Sequence, residues 1–162
     1  MNPTLYDKFL SSQSKLYRFA YSLTKNVSDA RDIHQDTLIK IWEMREQWGT
    51  WENFEAYGMR ITRNTFLNFQ KARQRRRYAE LDNLSEKPQP NEVETHMVID
   101  DLRYQFFRMI QRLPQLQQDI LYLREVEEFE YREIAKILEI SESQVKVYLF
   151  RGRQFIKTNF QK

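Results

Sequence analysis

The apolar positions of the chain fall at helical spacing over most of its length. Leu16, Phe19, Ala20 and Leu23 repeat at i, i+3, i+4 and i+7, which puts them on one face of an α-helix. Ile33, Leu38, Ile41 and Trp42 carry a second helical pattern, for which Ser28 is the expected N-cap. A break from Trp48 to Glu52 precedes a third pattern of Phe54, Tyr57, Ile61 and Asn64. Periodicity fades from Tyr78 to Val98, where Asn83, Ser85, Pro88, Pro90 and Asn91 supply turn formers and helix breakers. It resumes with Phe106, Ile110 and Leu113, stops at Pro114 and restarts through Ile120, Leu121 and Leu123. Residues of high helix propensity dominate and β-branched alternation is scarce, so the fold class is all-α. Two small helical domains are predicted, residues 1–77 and 101–162, joined by a flexible acidic linker at 78–100.

The sharpest local signal lies between Tyr131 and Ile156. Tyr131, Ile134, Ala135 and Leu138 form one apolar stripe, and Glu139-Ile140-Ser141 interrupts it. Ser141 is a good N-cap for a second helix, on which Val145, Leu149, Gly152 and Ile156 share one face at about 100° per residue. Those four are expected to face inward. Ser143, Val147, Phe150 and Gln154 then lie opposite, flanked by Gln144 and Arg151 on one edge and Lys146 and Arg153 on the other. A solvated outer face of an ordinary bundle would also carry charges. A large aromatic opposite the core stripe, however, needs a partner. In the recognition helix of a helix-turn-helix that partner is a thymine methyl or the sugar wall of the major groove, with Lys146 and Arg151 available for phosphates or guanine edges.

Charge sharpens the picture through its placement. The net charge is only +3, yet Arg60 to Arg77 contains no acid and seven cations: Arg60, Arg63, Lys71, Arg73, Arg75, Arg76 and Arg77. Such a stretch suits a polyanion. Beyond it Glu80, Asp82, Glu86, Glu92, Glu94, Asp100 and Asp101 face only Lys87 among the bases. With 41% hydrophobic and 30% charged residues the chain has enough apolar content for a core. The absence of cysteine and the separation of His34 from His96 argue against disulfides and structural zinc. Three glycines leave no phosphate-cradling loop. No apolar run reaches membrane-span length, and no signal pattern opens the chain, so a cytoplasmic location is expected.

Four segments together resemble the extracytoplasmic-function class of RNA polymerase sigma factors. Asp29-Ala30-Arg31-Asp32-Ile33-His34-Gln35-Asp36-Thr37-Leu38, through Trp42, is similar to the family's polymerase-docking helix. Asn53-Phe54-Glu55-Ala56-Tyr57, through Arg60-Ile61-Thr62-Arg63-Asn64, resembles the element that reads and melts the minus-ten sequence. Leu113-Pro114, Ile120 to Leu123 and Tyr131-Arg132-Glu133-Ile134-Ala135 resemble the start of the minus-thirty-five domain. Val145-Lys146 to Phe150-Arg151-Gly152-Arg153 resembles its recognition helix.

The resemblance implies that Asp32, Gln35, Asp36 and Lys40 contact core polymerase; read without it, they are a solvated face. It implies a minus-ten site of Thr50, Trp51, Glu52, Asn53, Arg60, Arg63 and Asn64, with the loop holding a flipped base of the melted non-template strand. Asn64 has two readings, an edge reader or a buried amide satisfied by backbone, and Trp48 reads as core. Ser143, Gln144, Lys146, Val147, Phe150, Arg151 and Arg153 are assigned to the double-stranded minus-thirty-five element. Lys71, Arg73, Arg75, Arg76 and Arg77 are expected to follow the DNA backbone. The function implied is promoter-specific initiation, with no catalysis, cofactor or small-molecule substrate of its own, and with a membrane-linked anti-sigma protein as a further partner.

The chain departs from the family at three points. Gly58 stands in place of a bulky apolar residue and is expected to loosen its helix. Glu139 occupies a turn position where glycine is common, and Gly152 replaces the usual alanine. A one-component helix-turn-helix regulator accounts for the C-terminal half alone. An enzyme has no supporting triad, paired carboxylates, metal cluster or nucleotide fingerprint, and His34 reads as a surface residue on a helix face.

Overall fold

The structure, a computed structural model, describes residues 3–81 and 101–160. They form two compact units, one within Met1–Val93 and one within Glu94–Lys162. From residue 82 onward the expected linker lies outside the described residues. No strand occurs among the described residues, and no helix there is long and apolar enough to cross a membrane.

In the first unit α1 (Pro3–Thr24), α2 (Val27–Glu43) and α3 (Phe54–Glu80) pack pairwise around one core. Leu16, Phe19, Ala20 and Leu23 of α1 are buried against Ile33 and Ile41 of α2 and Met59 and Phe66 of α3. The α1–α2 turn is made by Lys25, whose backbone is left-handed (φ 54°). Asn26, not Ser28, caps α2. Asn26 is the residue whose backbone is extended (φ −145°), so its Oδ1 reaches the Asp29 N–H at 2.9 Å, while Ser28 already lies inside the helix.

The third apolar pattern is shifted in the structure. Phe54 is buried, but Tyr57 and Ile61 are half-buried and Asn64 is exposed. The buried face is Phe54, Gly58, Met59, Thr62, Thr65 and Phe66. Threonine qualifies for this core because its hydroxyl is satisfied locally. Thr62 Oγ1 donates to the Gly58 carbonyl and Thr65 Oγ1 to that of Ile61, each at 2.8 Å. Helix α3 runs unbroken through Gly58. A β-carbon there would stand 3.0 Å from Leu16 Cδ2, so its bareness lets α1 approach α3 closely. The helix also continues past Arg77, through residues 78–80.

A 3-10 segment, Arg45–Thr50, links α2 to the loop before α3. Trp48 is its buried anchor: Nε1 donates to the Ile41 carbonyl at 2.9 Å, and the ring lies against Phe9 and Phe54 at centroid distances of 5.2 Å. This fits the reading of Trp48 as core.

In the second unit α7 (Glu142–Phe160) packs on α4 (Asp101–Ile110), α5 (Gln115–Leu121) and α6 (Tyr131–Leu138). Pro114 precedes α5, whose end widens into a π-helical turn at Tyr122–Val126 that the apolar pattern does not disclose. Helix α6 ends at Glu139, whose left-handed backbone (φ 58°, ψ 44°) lets the Ile140 N–H donate to the Ala135 carbonyl at 3.0 Å. Ser141 caps α7 in a reciprocal box: its Oγ accepts from the Gln144 N–H (3.1 Å), and Gln144 Oε1 accepts from the Ser141 N–H (3.0 Å). Leu121 lies so close to Gly152 that a β-carbon there would meet Cδ1 at 2.9 Å. Thus α6, a tight turn and α7 form a helix-turn-helix carried on α4 and α5.

Candidate nucleic-acid interface

Helix α7 has two sharply different faces. Val145, Leu149 and Gly152 are buried, and Ile156 is half-buried. Ser143, Gln144, Lys146, Val147, Phe150, Arg151 and Arg153 are all exposed, Phe150 at 64%. Within this set the side chains differ in freedom. Gln144 spends its Oε1 on the Ser141 cap. Arg153 turns back onto the domain, where its Nη2 and Nε sit 2.7 and 2.8 Å from Glu125 Oε1. That hydrogen bond and charge raise the Arg153 pKa above the ordinary arginine value. Lys146, Val147, Phe150 and Arg151 therefore form the outward face, with the Arg151 guanidinium 6.0 Å from the Tyr148 ring. A nearby cleft is lined by Arg124, Glu130, Tyr131, Arg132 and Glu142. Two of those five are anions, which makes it a poor polyanion site.

On the first unit, helix geometry sorts the expected residues. At about 100° per residue, Tyr57, Arg60, Asn64, Lys71 and Arg75 line one face of α3. Of these Asn64, Lys71 and Arg75 are exposed, while Tyr57 and Arg60 are half-buried, as is Arg63 at the flank. The exposure of Asn64 answers the ambiguity left by the sequence: it is not a buried amide. At the head of this face Trp51 stacks flat on Tyr57, with ring centroids 4.2 Å apart and planes 9° apart. Tyr57, a periodic apolar position and the last residue of the Asn53 to Tyr57 segment, thus lies directly beside Trp51.

The loop residues are held by their own bonds. Thr50 Oγ1 donates to the Gln47 carbonyl at 2.6 Å, and Asn53 Oδ1 accepts from the Ala56 N–H at 3.1 Å as the cap of α3. Glu52 is exposed beside them. Arg73 leaves the Asn64 face. Its Nη2 lies 3.1 Å from Asp29 Oδ1, and its guanidinium is 4.8 Å from the Phe69 ring. Arg76 and Arg77 follow on that same side of the helix by the same geometry, exposed to solvent.

On α2, Ala30, Ile33, Thr37 and Ile41 are buried, and Asp32, Gln35 and Asp36 are exposed on the opposite face. Lys40 is half-buried and donates through Nζ to Thr65 Oγ1 at 3.1 Å, which ties it to α3. Ile39, 56% exposed, lies on the face of Gln35 and Asp36, and its spacing from them was the available signal. His34 is half-buried edge-on against Tyr17, at 5.5 Å, and burial lowers its pKa from 6.5. Among the described residues no group of three metal-ligating side chains is present.

Comparison with known proteins finds the sigma-70 region 2 family at residues 9–76 and the sigma-70 region 4 family at residues 103–156. The extracytoplasmic-function RNA polymerase sigma-E factor of Haemophilus influenzae is 30% identical over 151 residues, spanning 86% of this chain and 79% of the relative. The chain belongs to the extracytoplasmic-function sigma factors. The RNA polymerase sigma factor YlaC of Bacillus subtilis is 24% identical across 98% of this chain and 93% of its own. The fold also matches the sigma factor RpoE solved with the anti-sigma factor NepR from Bartonella quintana. That match has a TM-score of 0.77 at 22% identity and covers 99% and 98% of the two chains. CnrH, solved with the cytosolic domain of CnrY, matches at a TM-score of 0.65 and 15% identity.

This sigma factor is thus a regulatory DNA-recognition protein of transcription initiation, with core RNA polymerase and promoter DNA as partners. A lone helix-turn-helix regulator would leave the region 2 match at residues 9–76 without explanation.

Proposed function

We propose that this sigma factor reads two promoter elements with separate surfaces and docks on polymerase with a third. The α7 face of Lys146, Val147, Phe150 and Arg151, with Ser143 and Gln144 at its start, enters the major groove of the minus-thirty-five element. Arg153 supports that face through Glu125 rather than touching DNA. The loop Thr50 to Asn53, with Trp51 stacked on Tyr57, meets the minus-ten element where it melts, and Arg60, Arg63 and Asn64 continue the contact along α3. An unstacked base loses a few kcal/mol, recovered by stacking and by hydrogen bonds to its edge. Lys71 and Arg75 take the adjoining backbone phosphates. Asp32, Gln35 and Asp36 dock on core polymerase, and Lys40 positions that helix against α3. Residues 1–77, with the end of α3 through residue 80, and residues 101–162 act as the two recognition domains. The protein works in the cytoplasm without cofactor or catalytic chemistry, and an anti-sigma protein, like the NepR bound to RpoE, controls it.

The observation that carries this reading is Phe150, 64% exposed one residue after the fully buried Leu149, between two cations. Run-off transcription with core polymerase over a library of genomic promoters tests it. A defined promoter class should fire, and Lys146→Ala, Phe150→Ala and Arg151→Ala should each silence it in a folded protein. Undiminished transcription from all three variants would refute the assigned face.

A further inference from the structure

We propose that Asp29 is a positioning residue for promoter DNA. By holding Arg73 it anchors the projecting end of α3, so that Lys71 and Arg75 stand on the face of Asn64 while Arg73 stays off the DNA. The proposal rests on the backbone-phosphate reading given above.

The last buried residue of α3 is Phe66, and residues 70–80 are all exposed. A helical segment of that length is marginal in water unless something holds its root. The Asp29–Arg73 pair does so across 44 residues of sequence. Asp29 sits in the first turn of α2, where the helix dipole favours a carboxylate, and its side chain is only 15% exposed against 46% for Arg73. The Phe69 ring supports the guanidinium from beneath. Among the described residues of α3 beyond Arg73, none makes a side-chain hydrogen bond or ion pair to another helix.

An exposed pair adds little to global stability, so its effect lies in where it holds the helix. Arg73, Arg76 and Arg77 share the side that continues the core face of α3. Lys71 and Arg75 share the side of Arg60 and Asn64. The cationic run therefore has two faces, and only one of them meets the minus-ten DNA. Asp29 lies on the docking helix three residues before Asp32, so the clip joins the polymerase-contacting element to the DNA-contacting one.

The test is the salt dependence of binding of the preassembled holoenzyme to a duplex carrying a melted minus-ten region. Lys71→Ala and Arg75→Ala should each lower the slope of log affinity against log salt by about 0.7 to 0.9, and Arg76→Ala and Arg77→Ala should leave it unchanged. Asp29→Asn and Arg73→Ala should each weaken binding about two- to fivefold, and the double variant no more than either alone. Asp29→Asn should also speed amide exchange over residues 70–80 while the melting temperature holds. Additive losses, or a full slope decrement on adding Arg73→Ala to Asp29→Asn, would overturn the clip and make Arg73 a phosphate contact. So would a loss confined to core-polymerase affinity. Unchanged slopes for Lys71→Ala and Arg75→Ala would bring down the phosphate reading itself and the proposal with it.

Discussion

Leu121 fills the space that a β-carbon on Gly152 would need, its Cδ1 2.9 Å and its Cγ 3.2 Å from that position. Leu121 is wholly buried, so it cannot swing aside into solvent. Gly152→Ala should gain about 1 kcal/mol in helix propensity and lose about 1 to 3 kcal/mol to overpacking. A net loss of stability is expected, with α7 displaced from α5. Gly58→Ala should behave alike, because Leu16 Cδ2 stands 3.0 Å away, while Gly49, with nothing within 4 Å, is the neutral control. Chemical denaturation of the three variants checks the order.

Leu149 and Phe150 are neighbours in sequence and opposites in environment. Leu149→Ala should destabilise its domain by about 2 to 5 kcal/mol through transfer and cavity terms. Phe150→Ala should leave the melting temperature nearly unchanged and weaken binding to a matched upstream element. Thermal unfolding and a binding titration on both variants separate the two effects. An early melt for Phe150→Ala would place that ring in the core.

Trp48→Phe should remain folded but lose the hydrogen bond to the Ile41 carbonyl. The Ile41 carbonyl still accepts from the Met44 N–H at 3.1 Å, so the loss is that of one net hydrogen bond, about 0.5 to 1.5 kcal/mol. Trp48→Ala removes the whole ring from between Phe9 and Phe54 and should cost about 3 to 5 kcal/mol. Urea unfolding of the pair measures both terms. A Trp48→Phe variant as stable as the wild type would mean that the bond from the Met44 N–H satisfies the carbonyl by itself.

Burial lowers the His34 pKa below 6.5, so the unfolded chain takes up the proton first as pH falls. Stability then rises with pH over the window between the folded and unfolded values, is complete above the unfolded value, and declines below it. The wild type should lose melting temperature as pH drops below about 6.5. His34→Gln should flatten that part of the profile. Coincident profiles from pH 5 to 8 would remove His34 from the acid response.

The apolar periodicity located every long helix, because burial in a small bundle imposes its period on the sequence. It misjudged the rotation of α3. There the core uses Thr62 and Thr65, residues that look polar until their hydroxyls are seen bonded one turn back. Gly58 and Gly152 read as defects in the sequence, since a list of residues does not show that Leu16 and Leu121 stand over them. The outward face of α7 was legible because buried and exposed positions separate cleanly on one helix. The division of its cations was not, since the Arg153–Glu125 and Arg73–Asp29 pairs join residues 28 and 44 positions apart. The π turn at Tyr122–Val126 likewise leaves no mark in the periodicity.

All three tryptophans, Trp42, Trp48 and Trp51, belong to the aromatic cluster of the first unit, and the second unit has none. The protein therefore contains a built-in optical label for one half of itself. Emission excited at the red edge of the indole band follows only the bundle and the loop before α3, while far-ultraviolet dichroism follows both units. Trp48 is sealed and reports cohesion of the bundle, and Trp51, flat against Tyr57, reports the loop before α3. Recorded together during denaturation or DNA addition, the two signals separate events in the two units without an added dye.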